Sequence, residues 1–307
     1  MRPTLRQLEY VVTVNRLGRF GLAAEVLNVS QPSLSAQIAA IETELGVRLF
    51  ERNRGGVEIT AKGEEFVLRA QRVLSDMQDL RSAMSNSLPF AGRLRLGVLP
   101  SIGPYLLPRV VRQIHDSHPD LRVIVREENT LDLESGLKAG RFDAIISTPE
   151  DHPNTLQRRL FNERLWVAVA TDDPLATGGG DVTATDLAGR RLLTLDNGHR
   201  LARIVYALAA AAGGVVSDEY EGTSLDSTLL MAATGAGVAV IPHLFAARQA
   251  RFRDEVVLRP LAMAEAHRDI ALLLRSGEAL HAGHDLLTQI LHQVVADLDL
   301  GDQPQIG

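Results

Sequence analysis

Short stretches of helical periodicity open the chain. Within residues 5–14, Leu8, Val11 and Val12 recur at the spacing that gives a helix one apolar face. Residues 21–28 predict a second short helix, and VSQP turns the chain. Ser30 is a suitable N-cap for a third helix, whose first turn tolerates Pro32. Its apolar stripe is Leu34, Ile38, Ile41 and Leu45, and Gly46 closes it. RLFERNRGGVEIT then predicts two short strands around Gly55-Gly56, a turn or wing.

Residues 61–88 predict one longer helix that starts after Thr60, a second candidate cap. Phe66, Ala70, Val73, Met77, Leu80 and Met84 follow steps of four and three, a heptad seam. The other faces are strongly polar, which favours pairing with a second copy; a stripe facing its own domain core is the alternative. SLPFAG marks a boundary near residue 90. Beyond Arg93 the pattern alternates. RLRLGVLP, LRVIVRE and FDAIISTP read as strands between helices at 102–117 and 131–139. A second cycle runs through LWVAVAT, RRLLTL, a helix at 200–212, DEYEGT, a helix at 225–233 and GVAVIP. RDIALLLR and a helix at 279–298 close the chain. This alternation predicts a parallel α/β arrangement in two lobes, with a late strand returning to the first and a cleft between them.

Composition narrows the chemistry. The 307 residues are 45% hydrophobic but only 4% aromatic, so aliphatic cores in two or three folded units are expected. The net charge is −6. Residues 1–62 nevertheless hold eight Arg and Lys against six Asp and Glu, so the acidic excess lies downstream. There is no cysteine, which excludes disulfides, thiol nucleophiles and thiolate metal sites. The first 20 residues do not read as an export signal, and no apolar run of about 18 residues occurs. No membrane association and a cytoplasmic location are therefore expected.

Two helices joined by a tight turn, the second opening Ser-Gln-Pro-Ser, form a candidate helix-turn-helix, whose second helix enters the DNA major groove. Gln31, Pro32, Ser33, Ser35 and Ala36 then face outward: the amide and hydroxyls suit bases or phosphates, and Pro32 and Ala36 suit thymine methyls. An ordinary three-helix bundle is the alternative reading of the pattern. The segment from Ala23-Ala24 through Ser30–Ser35, Gln37-Ile38, Glu42, Glu44-Leu45-Gly46, Leu49-Phe50, Arg52, Thr60 and Gly63 resembles the winged helix-turn-helix of LysR-type transcriptional regulators.

The resemblance implies a multidomain α+β chain. A winged helix-turn-helix DNA-binding domain spans 1–60, a dimerisation helix and hinge 61–90, and a two-lobed effector module 91–307, similar in fold to periplasmic binding proteins. Lobe I covers about 91–164 and 268–303, lobe II about 165–267. Implied partners are double-stranded DNA, a small-molecule effector, further copies of the chain as homodimer or homotetramer, and RNA polymerase. No cofactor is implied. Members often carry basic residues where this helix has Ala36, Ala39 and Ala40. Phosphate attraction then falls on Arg52, Arg54 and, secondarily, Lys62 and Arg19.

LPSIGPYLLP, GLKAGRFDAII, DNGHRL and ATGAGVAVIP look closest to the peroxide-sensing, OxyR-type branch. Aligning Gly198-His199 sets Arg200 and Ala209 at that branch's two redox-cysteine positions, so its disulfide switch cannot operate here. The resemblance places an effector against Ser101, Thr130, Thr148, His199, Arg200 and Thr223. Ser101 is read as opening a helix whose free backbone N–H groups favour an anion. Arg200 suits a carboxylate; a salt bridge is its alternative. Methionine oxidation through Met231 or Met263 is a weaker redox input. The pairs His115/His118 and His281/His284 share helical faces but lack a third metal ligand. No nucleophile elbow or other catalytic constellation is present, so an enzyme is not expected. A solute-binding module is the alternative class.

Overall fold

Thr4 caps the first helix, α1 (Leu5–Leu17), through a reciprocal box with Gln7, and the helix ends at Gly18. α2 (Phe20–Val26) and α3 (Gln31–Leu45) follow. The Ser30 hydroxyl accepts from the Ser33 N–H at 3.3 Å, and Gly46 closes α3 in the left-handed conformation. Leu34, Ile38 and Ile41 are buried against Val11, Val14, Phe20 and Leu49. At about 1.5–3 kcal/mol per fully buried side chain, this cluster holds the three helices together. The expected fourth member of the stripe, Leu45, is 39% exposed. It occupies the last helical turn, beyond the reach of the opposing helices.

β1 (Phe50–Asn53) and β2 (Gly56–Ile59) form an antiparallel hairpin. Then α4 (Ala61–Met84) runs along α1. The computed structural model describes residues 3–53, 56–84, 89–196, 198–222, 224–249, 255–277, 282–298 and 300. Two units result, Met1–Arg93 with Gly136–Phe142, and Leu94–Ser135 with Asp143–Gly307.

After α4, the elements in chain order are β3 (Arg93–Val98), α5 (Gly103–Ser117), β4 (Arg122–Glu127), α6 (Thr130–Lys138), β5 (Ala144–Ser147) and β6 (Thr155–Ala170). There follow α7 (Ala184–Leu187), β7 (Arg191–Leu195), α8 (Arg200–Ala212), β8 (Val215–Gly222), α9 (Leu225–Ala233) and β9 (Val238–Pro242). The chain closes through α10 (His243–Gln249), β10 (Val256–Pro260), β11 (His267–Arg275) and α11 (Ala282–Ala296). Among the described residues the strands connect as β4-β3-β5-β11-β6-β9-β7-β8, with β10 also on β6.

The long strand β6 links the two lobes. Its first part, Thr155–Arg164, pairs antiparallel with β11. Its last part pairs with β9 and β10, beginning at Leu165↔Pro242. α5 and α11 pack together in lobe I, and Leu106, Val110, Leu287 and Leu291 on them are buried. Leu193, Val205, Leu208, Leu229, Val240 and Ile241 belong to the separate core of lobe II. Four elements escaped the sequence reading: the first part of β6, α7, α10 and β10. The sequence TLQRRLFNER is too charged to look like a strand, and pairing with β11 supplies what its side chains do not.

Candidate nucleic-acid interface and ligand site

α3 presents Gln31, Pro32, Ser33 and Ala36 to solvent, while Ser35 is half-buried. Ala39, Ala40 and Thr43 extend the exposed face. The helix is fixed on both sides. Gln7 Nε2 donates to Gln37 Oε1 at 3.0 Å, and Glu42 Oε1 accepts from the N–H groups of Leu49 (2.8 Å) and Phe50 (3.0 Å). The wing is therefore anchored to α3 by an ionised acceptor.

Thr60 closes the same corner: its hydroxyl donates to Arg48 O at 2.7 Å and accepts from Gly63 N at 3.0 Å. A Cβ on Gly63 would lie 2.2 Å from the Leu49 carbonyl oxygen, so only glycine fits there. Arg52 lies on β1, and Arg54 lies outside the described residues. Lys62 pairs with Glu65 at 3.1 Å on an exposed face. Arg19, the N-cap residue of α2, is exposed.

The heptad seam divides in two. Phe66 packs against the head's own core and Ala70 is buried, whereas Val73 is 46% and Leu80 54% exposed. Met77 is half-buried, and Met84 ends α4. The exposed apolar part of the seam thus begins at Val73, because α1 covers the first turns.

In the larger unit Thr130, Thr148 and Arg200 come together, the last two through Asp151, but not as open groups. α5 begins at Gly103, not Ser101, and the N–H groups of Ile102 and Gly103 both donate to Leu99 O. Ser101 therefore offers no free helix terminus; its hydroxyl accepts from Arg268 Nη1 at 2.9 Å. Arg268 also donates through Nε (2.9 Å) and Nη2 (2.7 Å) to Glu163 Oε2, with both side chains almost fully buried. Glu163 Oε1 accepts from Leu244 N at the start of α10. This charged pair sits opposite in register on β11 and β6, beside the point where β6 changes lobes. Neither residue stood out in the sequence, since a Glu and an Arg 105 positions apart carry no local signal.

Thr130, buried at the start of α6, accepts from the backbone N–H of Arg200 at 3.4 Å. Thr148 donates to Asp151 Oδ2 at 2.5 Å. The other oxygen of Asp151 receives Arg200 Nη1 at 3.2 Å and Arg203 Nη2 at 2.6 Å. Arg200 thus links α8 to the turn of lobe I through the salt bridge that was the alternative reading of this residue. Its Nε remains buried and unpartnered. His199 stands at the N-cap position of α8 without a capping hydrogen bond from its side chain, and its Nε2 lies 3.8 Å from Asp196 Oδ2.

Thr223 and His281 lie outside the described residues. Met231 and Met263 pack half-buried against the lobe II core. Tyr105 leans on the same core, and burial, reinforced by the Asp226 carboxylate, pushes its phenol up to about 12. Burial also raises the Glu127 carboxyl. Among the described residues no group of three or more His, Cys, Asp or Glu could hold a metal. No described helix is long and apolar enough to cross a membrane.

Residues 5–64 match the bacterial regulatory helix-turn-helix of the lysR family, and residues 89–296 match the LysR substrate binding domain. The chain belongs to the LysR family of transcriptional regulators. This LysR-family protein is 34% identical to the DNA-binding transcriptional dual regulator OxyR of Escherichia coli K12, over 94% of each chain. It is equally identical to the hydrogen peroxide-inducible genes activator of Pectobacterium carotovorum, over 94% of this chain and 96% of the relative. Among solved structures, it matches a full-length cysteine-to-aspartate variant of Pseudomonas aeruginosa OxyR with a TM-score of 0.75 and 30% identity. That match covers 95% of this chain and 98% of the other. The LysR regulator described here differs from a thiol sensor in having no cysteine at all.

Proposed function

We propose that this protein is a sequence-specific DNA-binding regulator whose two-lobed module binds a small-molecule effector, and that no thiol–disulfide switch controls it. The observation that carries the reading is the cysteine-free chain, with Arg200 tied to Asp151 across the module where related sensors are read as holding a reactive thiol. Gln31, Pro32, Ser33, Ser35 and Ala36 contact base edges, and Arg52 and Arg54 contact phosphate. The exposed seam from Val73 through Leu80 pairs two copies, with Phe66 and Ala70 joining the head to the pair. Dimers or tetramers, action on RNA polymerase from the cytoplasm, and activation of target genes complete the reading. Ligand control requires two states of the module that differ in effector affinity.

A footprint of the purified protein on its own upstream region, with and without peroxide, tests this. Protection that peroxide leaves unchanged, and that Leu80→Asp abolishes together with dimerisation, is the expected result. A peroxide-dependent footprint favours the second reading, an oxidant response through Met231, Met263 or another non-thiol group, for which the names of the peroxide-responsive relatives speak.

A further inference from the structure

A cavity of about 340 Å³ opens between α8 and the segment that leads into β11. Its wall carries Arg200, Arg203 and Arg268, its apolar side is Ile204, Ala207 and Ala264, and Glu150, Glu265, His267 and Asp269 complete the lining. Ser101, Thr130, Thr148 and His199 do not line it. The charges are unevenly matched. Arg268 is neutralised by Glu163, and Asp269 by Arg159 at 2.7 Å. Arg200 and Arg203, however, share the single carboxylate of Asp151, whose side chain is only 2% exposed. One positive charge is left over in the lining, where the Arg203 side chain is 53% and the Arg200 side chain 28% exposed. The Arg200 Nε is buried and has no partner among the described residues. Glu150 and Glu265 are exposed and make no ion pair among the described residues, so the lining also carries two unmatched carboxylates.

An unmatched positive charge, two unmatched carboxylates and a small aliphatic patch in one lining define one ligand chemistry. We propose that this cavity binds a small aliphatic α-amino acid as its zwitterion. The carboxylate lies against Arg200 and Arg203, the ammonium faces Glu265 and Glu150, and the side chain rests on Ile204, Ala207 and Ala264. A simple carboxylate would satisfy the guanidiniums but meet two unpaired carboxylates in the same lining, and a simple amine would leave the positive charge unmatched. The proposal rests on the reading of the module as an effector domain and names the ligand class it takes.

The test is calorimetric titration of the full-length protein with L-alanine, L-valine and L-leucine. L-valine is compared with isovalerate, which lacks the ammonium, and isobutylamine, which lacks the carboxylate. Saturable binding of at least one amino acid is expected, with each single-headed analogue of L-valine at least about tenfold weaker than L-valine. Arg203→Met should abolish the preference for valine over isobutylamine, and Glu265→Gln the preference over isovalerate. Isovalerate binding as tightly as valine would overturn the proposal in favour of a plain anion site. Absence of binding by all three amino acids would also overturn it. If the DNA footprint persists and answers to another small molecule, only the ligand class falls; if no small molecule alters it, the effector reading falls as well.

Discussion

The DNA-binding head and the larger module hold their polar groups in opposite ways. In the head, Glu42 reaches the Leu49 and Phe50 amides seven and eight residues on, and Thr60 reaches Gly63 three residues on. In the module, Arg268 joins Glu163 across 105 positions and Ser101 across 167. Local hydrogen bonds fix a surface without the rest of the chain, and they suit an element that must present a rigid face to DNA. The long-range pairs join strands and loops far apart in the chain, and through the Leu244 N–H on Glu163 they reach from lobe I to lobe II.

The comparison breaks most sharply at the buried ion pair. Glu163→Ala leaves Arg268 charged and unpaired inside the protein and should cost about 3–5 kcal/mol. Urea unfolding followed by Trp166, the only tryptophan, reads the module directly. The double change Glu163→Leu/Arg268→Met should recover most of that loss, since it removes both charges. A single variant as stable as the parent would mean that the pair contributes nothing to the lobe junction. Next comes Gly63→Ala, which pushes a methyl group into the Leu49 carbonyl and should cost about 1–3 kcal/mol. Its neighbour in the test is Gly21→Ala. There the added carbon meets only Gln31 at 3.6 Å, and helix propensity should stabilise α2 by about 0.5–1 kcal/mol. Amide exchange in α1–α3 should separate the two, and equal behaviour would refute the close approach at the wing.

Ser30→Ala should weaken the head by about 1 kcal/mol by leaving the Ser33 N–H uncapped, a loss visible as faster exchange in the first turn of α3. The smallest effect is a titration. The Tyr105 phenol is raised to about 12 in the folded chain, above the ordinary value near 10. The unfolded chain therefore loses this proton first as pH rises. The contribution is fully present below pH of about 10 and declines between about 10 and 12. Ultraviolet difference absorbance should show one of the four tyrosines ionising late; Tyr105→Phe should remove that late step.

The head was legible because its information is short in range. The stripe Leu34, Ile38, Ile41, the Ser30 cap and the Gly46 stop are each readable within one turn of helix, and only Leu45 at the end of the stripe left the pattern. The module was legible as alternating elements but not as a site. The first part of β6 carries too many charges to announce a strand, and its partner β11 lies about 110 residues away. Arg200 drew attention as a guanidinium in a polar stretch, yet the sequence held no sign that Asp151, 49 positions earlier, would occupy it. Arg203 and Arg268 carried no signal at all.

What the sequence determined by itself was the order of parts, the family they belong to, and the absence of thiol chemistry, since local periodicity, motif and residue inventory need no partner. The tertiary structure alone decided which charges are spent and which remain. Arg268 is consumed by Glu163, while Arg200 and Arg203 share one carboxylate and leave a positive charge facing a cavity. The reason is physical: a charge is defined by what neutralises it, and in a folded two-lobed module the neutralising group comes from a distant part of the chain.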